Sequence, residues 1–326
     1  MNEEKSSRLE HFPIPLFAVV MGIMGLVIVF QKATLAFGFP HVIADIMVTV
    51  GVLIFVIFSI AYITKFIKYP QEVKKEFSHP VRLNFFPAIS ICLLLISVSF
   101  YDINKDVSEV LWYIGTSLHL FFTLYVIRFW IVNNLAIEHS NPAWFIPIVG
   151  NVIVPLMGVH FVDVEISIFF FSIGMFFWFV LFTIILNRII FHHQLASKFL
   201  PTLFIFIAPA GVGFMAYVKI MTVLNGGVYT LDLFGHFIYD IGLFFTILLA
   251  FMAREFIKVS FAITWWAYTF PLAAITIATI LRYELSGSSI SLYLSFALIV
   301  VTTLVVSFVA YKSIKAGVNK EICIKE

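Results

Sequence analysis

Charged residues are scarce in this sequence. Only 12% of its 326 residues are Asp, Glu, Lys or Arg, about half of the roughly 25% that is typical of soluble domains. Because 62% of the residues are hydrophobic and 39 are phenylalanine, the chain has too few polar side chains to cover a surface that faces water. This composition excludes a soluble enzyme, a disordered protein and a protein with a nucleic-acid partner, and it indicates a polytopic membrane protein.

Cysteine is also rare, and no strong excess of either charge is present. Cys92 lies in an apolar run and Cys323 lies in the C-terminal tail, so no disulfide framework is expected. The net charge is +2, which identifies no class of partner. The opening segment MNEEKSSRLEH lacks the pattern of a signal peptide, and we therefore expect the first apolar run to remain as a membrane span.

The sequence instead contains ten long apolar runs. A membrane-spanning helix needs about 20 mostly apolar residues, and ten runs approach that length, one of them interrupted by Asp240. A helix satisfies its backbone groups internally, as lipid requires. The sequence therefore predicts an all-α polytopic membrane protein. We expect a single transmembrane domain over residues 1–326. Its helices are predicted at approximately 11–35, 42–68, 83–101, 106–134, 142–160, 163–191, 199–224, 231–257, 259–282 and 286–315.

The placement of Lys and Arg predicts the orientation of these helices. If the chain crosses the membrane ten times, 16 of the 20 Lys and Arg residues lie on one side and four on the other. The side with more positive charge is expected to be cytoplasmic. The prediction is a multi-pass protein of the cell membrane, the inner membrane of a bacterium, with both termini cytoplasmic.

The prolines divide the ten runs into two classes. Three of the 12 prolines lie in connections, and the other nine all lie in odd-numbered runs. Inside a helix, proline removes a backbone hydrogen bond and produces a kink, and the freed carbonyl must face protein or water. One interpretation is that membrane helices simply tolerate proline. The favoured one is five helical hairpins, with five Pro-kinked inner helices around a central pore and five outer helices. The kinks predicted to line the pore are at Pro15, Pro87, Pro147, Pro155, Pro209 and Pro271.

The predicted inner helices contain almost no charge. A charged side chain at mid-bilayer usually marks a coupling or binding site, and the odd-numbered runs place Lys32, Lys219 and Arg282 only at their ends. This pattern disfavours proton-coupled transport and favours weak, passive passage of an ion. The polar side chains that we expect to line the conduit are Ser90, Ser97, Asn151, Thr269, Thr276 and Thr279.

Several histidines are candidate site residues. His41–Asp45 and His236–Asp240 are spaced as i, i+4 pairs, which suits a metal or proton site or, as we favour, an interfacial hydrogen-bonded pair. Two ligands do not make a zinc site, so no metal and no cofactor are predicted. His119 is expected to be a packed or hydrogen-bonded residue rather than part of a proton relay.

Four segments resemble the tellurite-resistance/dicarboxylate-transporter family, which includes bacterial TehA proteins and the slow-type anion channels of plant guard cells. They are HPVRLNFFPA (79–88), NPAWFIPIVGNVIVPLMG (141–158), WWAYTFP (265–271) and, more weakly, LPTLFIFIAPA (200–210).

This resemblance implies a homotrimer in which each protomer has its own pore. It also implies a phenylalanine on the ninth helix that closes the pore, and the matching residue is Phe270. Arg82 matches the arginine of the HPVR segment and is expected either to attract anions at the cytoplasmic mouth or to anchor the chain on that side. The partners implied are small inorganic or organic anions and the lipid bilayer.

The sequence thus predicts a passive anion channel gated by a phenylalanine plug. The alternative is a secondary transporter for C4-dicarboxylates, or for the efflux of tellurite or other toxic anions. A membrane enzyme is disfavoured because no cluster of catalytic groups stands out.

Overall fold

The computed structural model describes residues 7–324, and in this part of the chain every regular element is helical. Ten helices are long and apolar enough to cross a membrane, and we number them as spans 1 to 10. The predicted all-α, multi-pass architecture is confirmed.

The odd-numbered spans share one construction. Each begins with a 3-10 segment and continues as an α-helix, whereas no even-numbered span begins in this way. We call the end of the bundle at which the odd-numbered spans begin the Arg82 end, and the opposite end the Lys219 end. The odd-numbered spans are Ile14–Phe37, Arg82–Phe100, Pro142–Phe161, Ser197–Leu224 and Ile263–Ser286.

The even-numbered spans are unbroken α-helices without proline. Four of them have 28 to 30 residues, or roughly 42 to 45 Å at 1.5 Å per residue, so they extend beyond a hydrocarbon core of about 30 Å. Two short helices, Pro70–Phe77 and Ala253–Ile257, follow spans 2 and 8. The even-numbered spans are His41–Lys68, Lys105–Val132, Val164–Phe191, Leu233–Phe251 and Ser289–Val318.

Burial differs sharply between the two classes of span. In the most apolar stretch of each odd-numbered span, 67% to 94% of the residues are buried, compared with 17% to 39% in the even-numbered spans. The exposed residues of the even-numbered spans are large and apolar, and Ile57, Phe176 and Leu304 are each at least 60% exposed. Side chains of this kind are stable in contact with lipid tails, so the even-numbered spans form the lipid-compatible surface of the bundle.

The prolines lie at junctions rather than in the middle of unbroken α-helices. Pro87 is the first residue of the α-helix in span 3, and Pro271 is the third residue of the α-helix in span 9. In the first turn a proline removes no intrahelical hydrogen bond, so these residues fix the change from 3-10 to α-helix. Pro155 is different, because it divides span 5 into the helices Ile146–Ile153 and Pro155–Phe161.

Small residues bring the odd-numbered spans close together. A β-carbon on Gly211 of span 7 would lie 2.9 Å from the backbone carbonyl carbon of Ala274 in span 9. Only glycine permits this backbone approach, which resembles the small-residue contacts of other membrane helices. The ring of five odd-numbered spans is therefore closely packed along part of its length.

Candidate functional site

A large cavity lies among the odd-numbered spans, toward the Lys219 end. Its volume is about 520 Å³, and all five odd-numbered spans contribute to its wall. Most of the wall is aliphatic, with Leu156, Val212 and Ile277 as examples, and the polar side chains are found near its mouth. It is wide enough to hold a small organic molecule.

A second, smaller cavity lies toward the Arg82 end. It has a volume of about 60 Å³ and is also lined by all five odd-numbered spans, with Pro15, Ile91 and Thr202 among its residues. Neither cavity has a wall residue from an even-numbered span. The two cavities therefore follow one another inside the ring of odd-numbered spans.

Phe270 is the one residue that lines both cavities. It is the second residue of the α-helix in span 9, directly before Pro271, and only 7% of it is exposed. Within residues 7–324, no other aromatic ring is paired with it, although many phenylalanines here form such pairs. The Phe270 ring thus separates two spaces without being fixed by a neighbouring ring.

Lys219 and His160 form the polar mouth of the large cavity. The Lys219 Nζ atom donates to Nε2 of His160 over 3.2 Å, because an ammonium group has only protons to offer. The His160 ring in turn stacks on Tyr101, with 4.8 Å between the ring centroids. In the described part of the chain, no carboxylate lies within 4.0 Å of Lys219, whereas Lys32 at the same mouth is paired with Glu284.

The predicted site residues fall into two groups. Phe270, Pro15 and Pro271 line the cavities. The other prolines predicted to line the pore, and Arg82, do not. Arg82 is partly exposed at the start of span 3. The residues outside both walls are Arg82, Pro87, Pro147, Pro155 and Pro209.

The polar residues expected along the conduit lie outside the walls of both cavities. The Thr276 hydroxyl oxygen lies 2.8 Å from the Thr302 hydroxyl oxygen of span 10. The hydroxyl oxygens of Thr279 and Tyr239 are 2.9 Å apart. These hydroxyl groups satisfy one another where an outer helix meets an inner one, since unpaired polar groups are costly in this setting. The walls of the two cavities are consequently lined mainly by hydrocarbon. None of Ser90, Ser97, Asn151, Thr269, Thr276 and Thr279 lines either cavity.

His119 is fully buried and joins span 4 to two inner spans. Its Nδ1 atom lies 2.9 Å from Ser90 Oγ, and its Nε2 atom lies 3.2 Å from the carbonyl oxygen of Pro147. The Pro147 carbonyl also accepts a hydrogen bond from Thr123. His119 is therefore a hydrogen-bonded packing residue, as expected from the sequence.

The two histidine–aspartate pairs do not form sites. Asp240 is paired with Arg282 of span 9, and among the described residues no hydrogen bond joins His41 to Asp45. The expected pairing of His236 with Asp240 is therefore wrong. Asp240 pairs instead with Arg282, which supplies a full positive charge.

Asp232 stabilises the Lys219 end outside the membrane-spanning segments. It caps span 8 by accepting a hydrogen bond from the Gly235 amide, and it also accepts from the hydroxyl groups of Tyr217 and Tyr229. Burial by itself raises the pKa of this carboxyl group, but the hydrogen bonds outweigh burial, and the pKa lies below its usual value. The ionised form therefore holds spans 7 and 8 together.

Sequence reasoning missed the pairing of Lys219 with His160 at the mouth of the large cavity. It recognised only that Lys219 lies at the end of an odd-numbered run. The available signal was a lysine in the last two turns of an inner span, together with a histidine at the same end of the neighbouring inner span.

Similarity to known proteins extends over most of the chain. A family described as SLAC1, voltage-dependent anion channel, matches residues 11–314. An uncharacterized transporter of Methanocaldococcus jannaschii is 26% identical over 313 residues, covering 90% of this chain and 91% of the relative. The S-type anion channel SLAH2 of Arabidopsis thaliana is 31% identical over 281 residues, covering 83% of this chain and 53% of the plant protein.

The resemblance to bacterial TehA proteins is also confirmed. The tellurite resistance protein TehA homolog of Haemophilus influenzae is 28% identical over 217 residues, covering 64% of this chain and 65% of that protein. These relatives are named as a transporter, an anion channel and a resistance protein rather than as enzymes. With ten membrane-spanning helices and a family match over nearly its whole length, the chain belongs to the SLAC1 family of voltage-dependent anion channels.

Proposed function

We propose that this protein is a passive anion channel whose conduit runs within one chain, between the odd-numbered spans, and is closed by the Phe270 ring. The observation that supports this most directly is that Phe270 alone lines both cavities. A narrow apolar constriction excludes water and therefore blocks a hydrated ion. Movement of a single ring would join the two cavities into one route.

The charges near the large cavity support anions as the permeating species. Lys32 and Lys219 lie in its wall near the mouth, and Asp102 is the one acidic residue of that wall. Because Lys32 is paired with Glu284, Lys219 is the wall cation whose charge can attract an anion into the mouth. With few polar groups farther inside, an anion is bound weakly and can leave again, as conduction requires.

Replacement of Phe270 by alanine tests this proposal. The variant is expected to conduct anions far better than the parent in planar bilayers or oocytes, after its presence at the membrane has been verified. The reversal potential of its current should follow the chloride gradient alone. A variant that is present at the membrane and conducts no more than the parent would refute the plug.

The second candidate is a secondary transporter for C4-dicarboxylates or for tellurite and other toxic anions. It is favoured by the names of the archaeal transporter and the tellurite resistance protein among the relatives. A coupled transporter would show a reversal potential that shifts with a proton or sodium gradient. Among residues 7–324, Asp102, near the mouth, is the only acidic residue in the two cavity walls that could serve such coupling.

The resemblance to the family further supports a homotrimer with one conduit in each protomer, with the apolar even-numbered spans facing lipid or the other protomers. Native mass spectrometry in a mild detergent is expected to give three chains per particle. A monomer that retains full conductance would contradict this assembly.

The distribution of Lys and Arg supports an orientation with the Arg82 end and both termini in the cytoplasm of a bacterial cell, in its inner membrane. A cysteine that replaces Lys105 should then react with a membrane-impermeant reagent added outside intact cells. A cysteine that replaces Lys74 should not react. The reverse pattern would invert the orientation.

A further inference from the structure

We propose that the large cavity binds a monocarboxylate with a hydrocarbon body, with its carboxylate on Lys219 and its alkyl chain directed toward Phe270. The chemical class follows from the combination of one available cation with an apolar space. This binding site extends the proposed function. The effect of a bound carboxylate on current rests on that function, whereas the binding of the carboxylate does not.

Among the described residues that line the cavity, Lys219 is the cation that has free capacity for an anion. Its ammonium group has three protons, and one is used by His160 Nε2 at 3.2 Å. The Lys32 ammonium group is engaged by Glu284. A single carboxylate on Lys219 would therefore complete its hydrogen bonds, with the charge-assisted geometry that ammonium and carboxylate groups favour.

Of the other polar side chains in the wall, Gln31 and Thr222 are already engaged, and Asp102 is acidic and would repel an anion. The side-chain amide of Gln31 donates to the Ser99 carbonyl oxygen over 2.9 Å, and the Thr222 hydroxyl donates to the Val218 carbonyl oxygen over 2.7 Å. A second anionic group on the ligand would find no further available cation in the cavity wall. This arrangement fits one carboxylate and disfavours two.

The remainder of the cavity fits hydrocarbon. Its volume of about 520 Å³ is much larger than a chloride ion needs, and Met157, Met215 and Ile277 are typical of its wall. Methionine side chains adapt readily to irregular apolar ligands. Each methylene group moved from water to such a wall raises affinity about fourfold.

Titration calorimetry on the purified full-length protein at pH 7 tests the proposal with defined probes. Hexanoate is expected to bind about 15-fold more tightly than butanoate, because it adds two methylene groups. Adipate has the same chain length as hexanoate, but its second carboxylate would face the apolar wall, so it is expected to bind at least about tenfold more weakly.

Substitutions of Lys219 test whether this residue is the cation that binds the carboxylate. Lys219→Gln is expected to weaken hexanoate binding about tenfold or more, whereas Lys219→Arg should largely retain it, which separates loss of charge from a disturbed fold. Lys105→Gln is the matched control, because Lys105 contacts the Tyr101 ring near the same mouth but does not line the cavity. It should bind hexanoate as the parent does.

Three results would overturn the proposal: equal affinity for hexanoate in Lys219→Gln and the parent, equal affinity for adipate and hexanoate, or no dependence on chain length.

In a second experiment, hexanoate added at the Lys219 end should block the current of the Phe270→Ala variant. If that variant carries no current, the channel function fails while the calorimetry still decides the carboxylate site.

Discussion

Phe270 packs directly over Gly25. A β-carbon on Gly25 of span 1 would lie 3.4 Å from Cδ2 of the Phe270 ring and 3.0 Å from the β-carbon of Ala273. The absence of a side chain on span 1 thus makes the space that the ring occupies. The position of the Phe270 ring therefore depends on two helices and not only on the proline that follows it.

Gly25→Ala is expected to destabilise the protein by about 1–3 kcal/mol, since an added methyl group overfills this contact. The loss should be smaller by about 0.5 kcal/mol or more in a Phe270→Ala background, because the truncated side chain leaves room. Unfolding of the four proteins in a detergent series measures this coupling. Strictly additive losses would show that Gly25 and Phe270 do not meet.

His119→Ala is expected to lower the free energy of unfolding by about 3 kcal/mol. The substitution leaves a cavity against Gly150 and removes one of the donors to the Pro147 carbonyl. Thermal unfolding measures the loss. His192→Ala is the control, because His192 is exposed after span 6 and its replacement should change stability by no more than about 0.5 kcal/mol. Equal effects of the two substitutions would contradict the buried hydrogen-bonded role of His119.

Asp232→Ala is expected to cost about 1–2 kcal/mol at pH 7, the usual effect of losing a helix cap. The pKa of this carboxyl group is lowered in the folded protein, so its contribution is complete above the unfolded value of about 3.9 and is lost as the pH falls through the folded value. The Tm difference between parent and variant should therefore shrink from pH 7 to pH 3. An unchanged difference would show that the charge of Asp232 is not involved.

The ten spans could be predicted from the sequence because length and hydropathy are local properties. The uneven distribution of prolines also predicted which spans differ, and the odd-numbered spans are indeed the more buried ones. The effect of each proline on the local helix geometry could not be predicted in the same way. The sequence does not show that residues such as Pro87 follow a 3-10 segment, because the change of helix type depends on neighbouring spans.

The direction of polar side chains could not be predicted because it depends on helix rotation. Thr276 has a hydroxyl group that suits a conduit and an interhelical bond equally well, and only the position of Thr302 decides between them. The pairing of Lys219 with His160 joins residues 59 positions apart on two spans. Phe270 could be singled out among 39 phenylalanines only by its match to a family segment.

The most direct test of the channel proposal is the anion current of a series in which Phe270 is replaced by Leu, Val and Ala, recorded in planar bilayers with purified protein. The control is Phe214→Ala, which truncates a fully buried phenylalanine of span 7 that lines neither cavity. Current is expected to increase as the side chain at position 270 becomes smaller, and Phe214→Ala should stay at the parent level. Equal currents across the series, or an equally large increase for Phe214→Ala, would contradict the assignment of Phe270 as the plug.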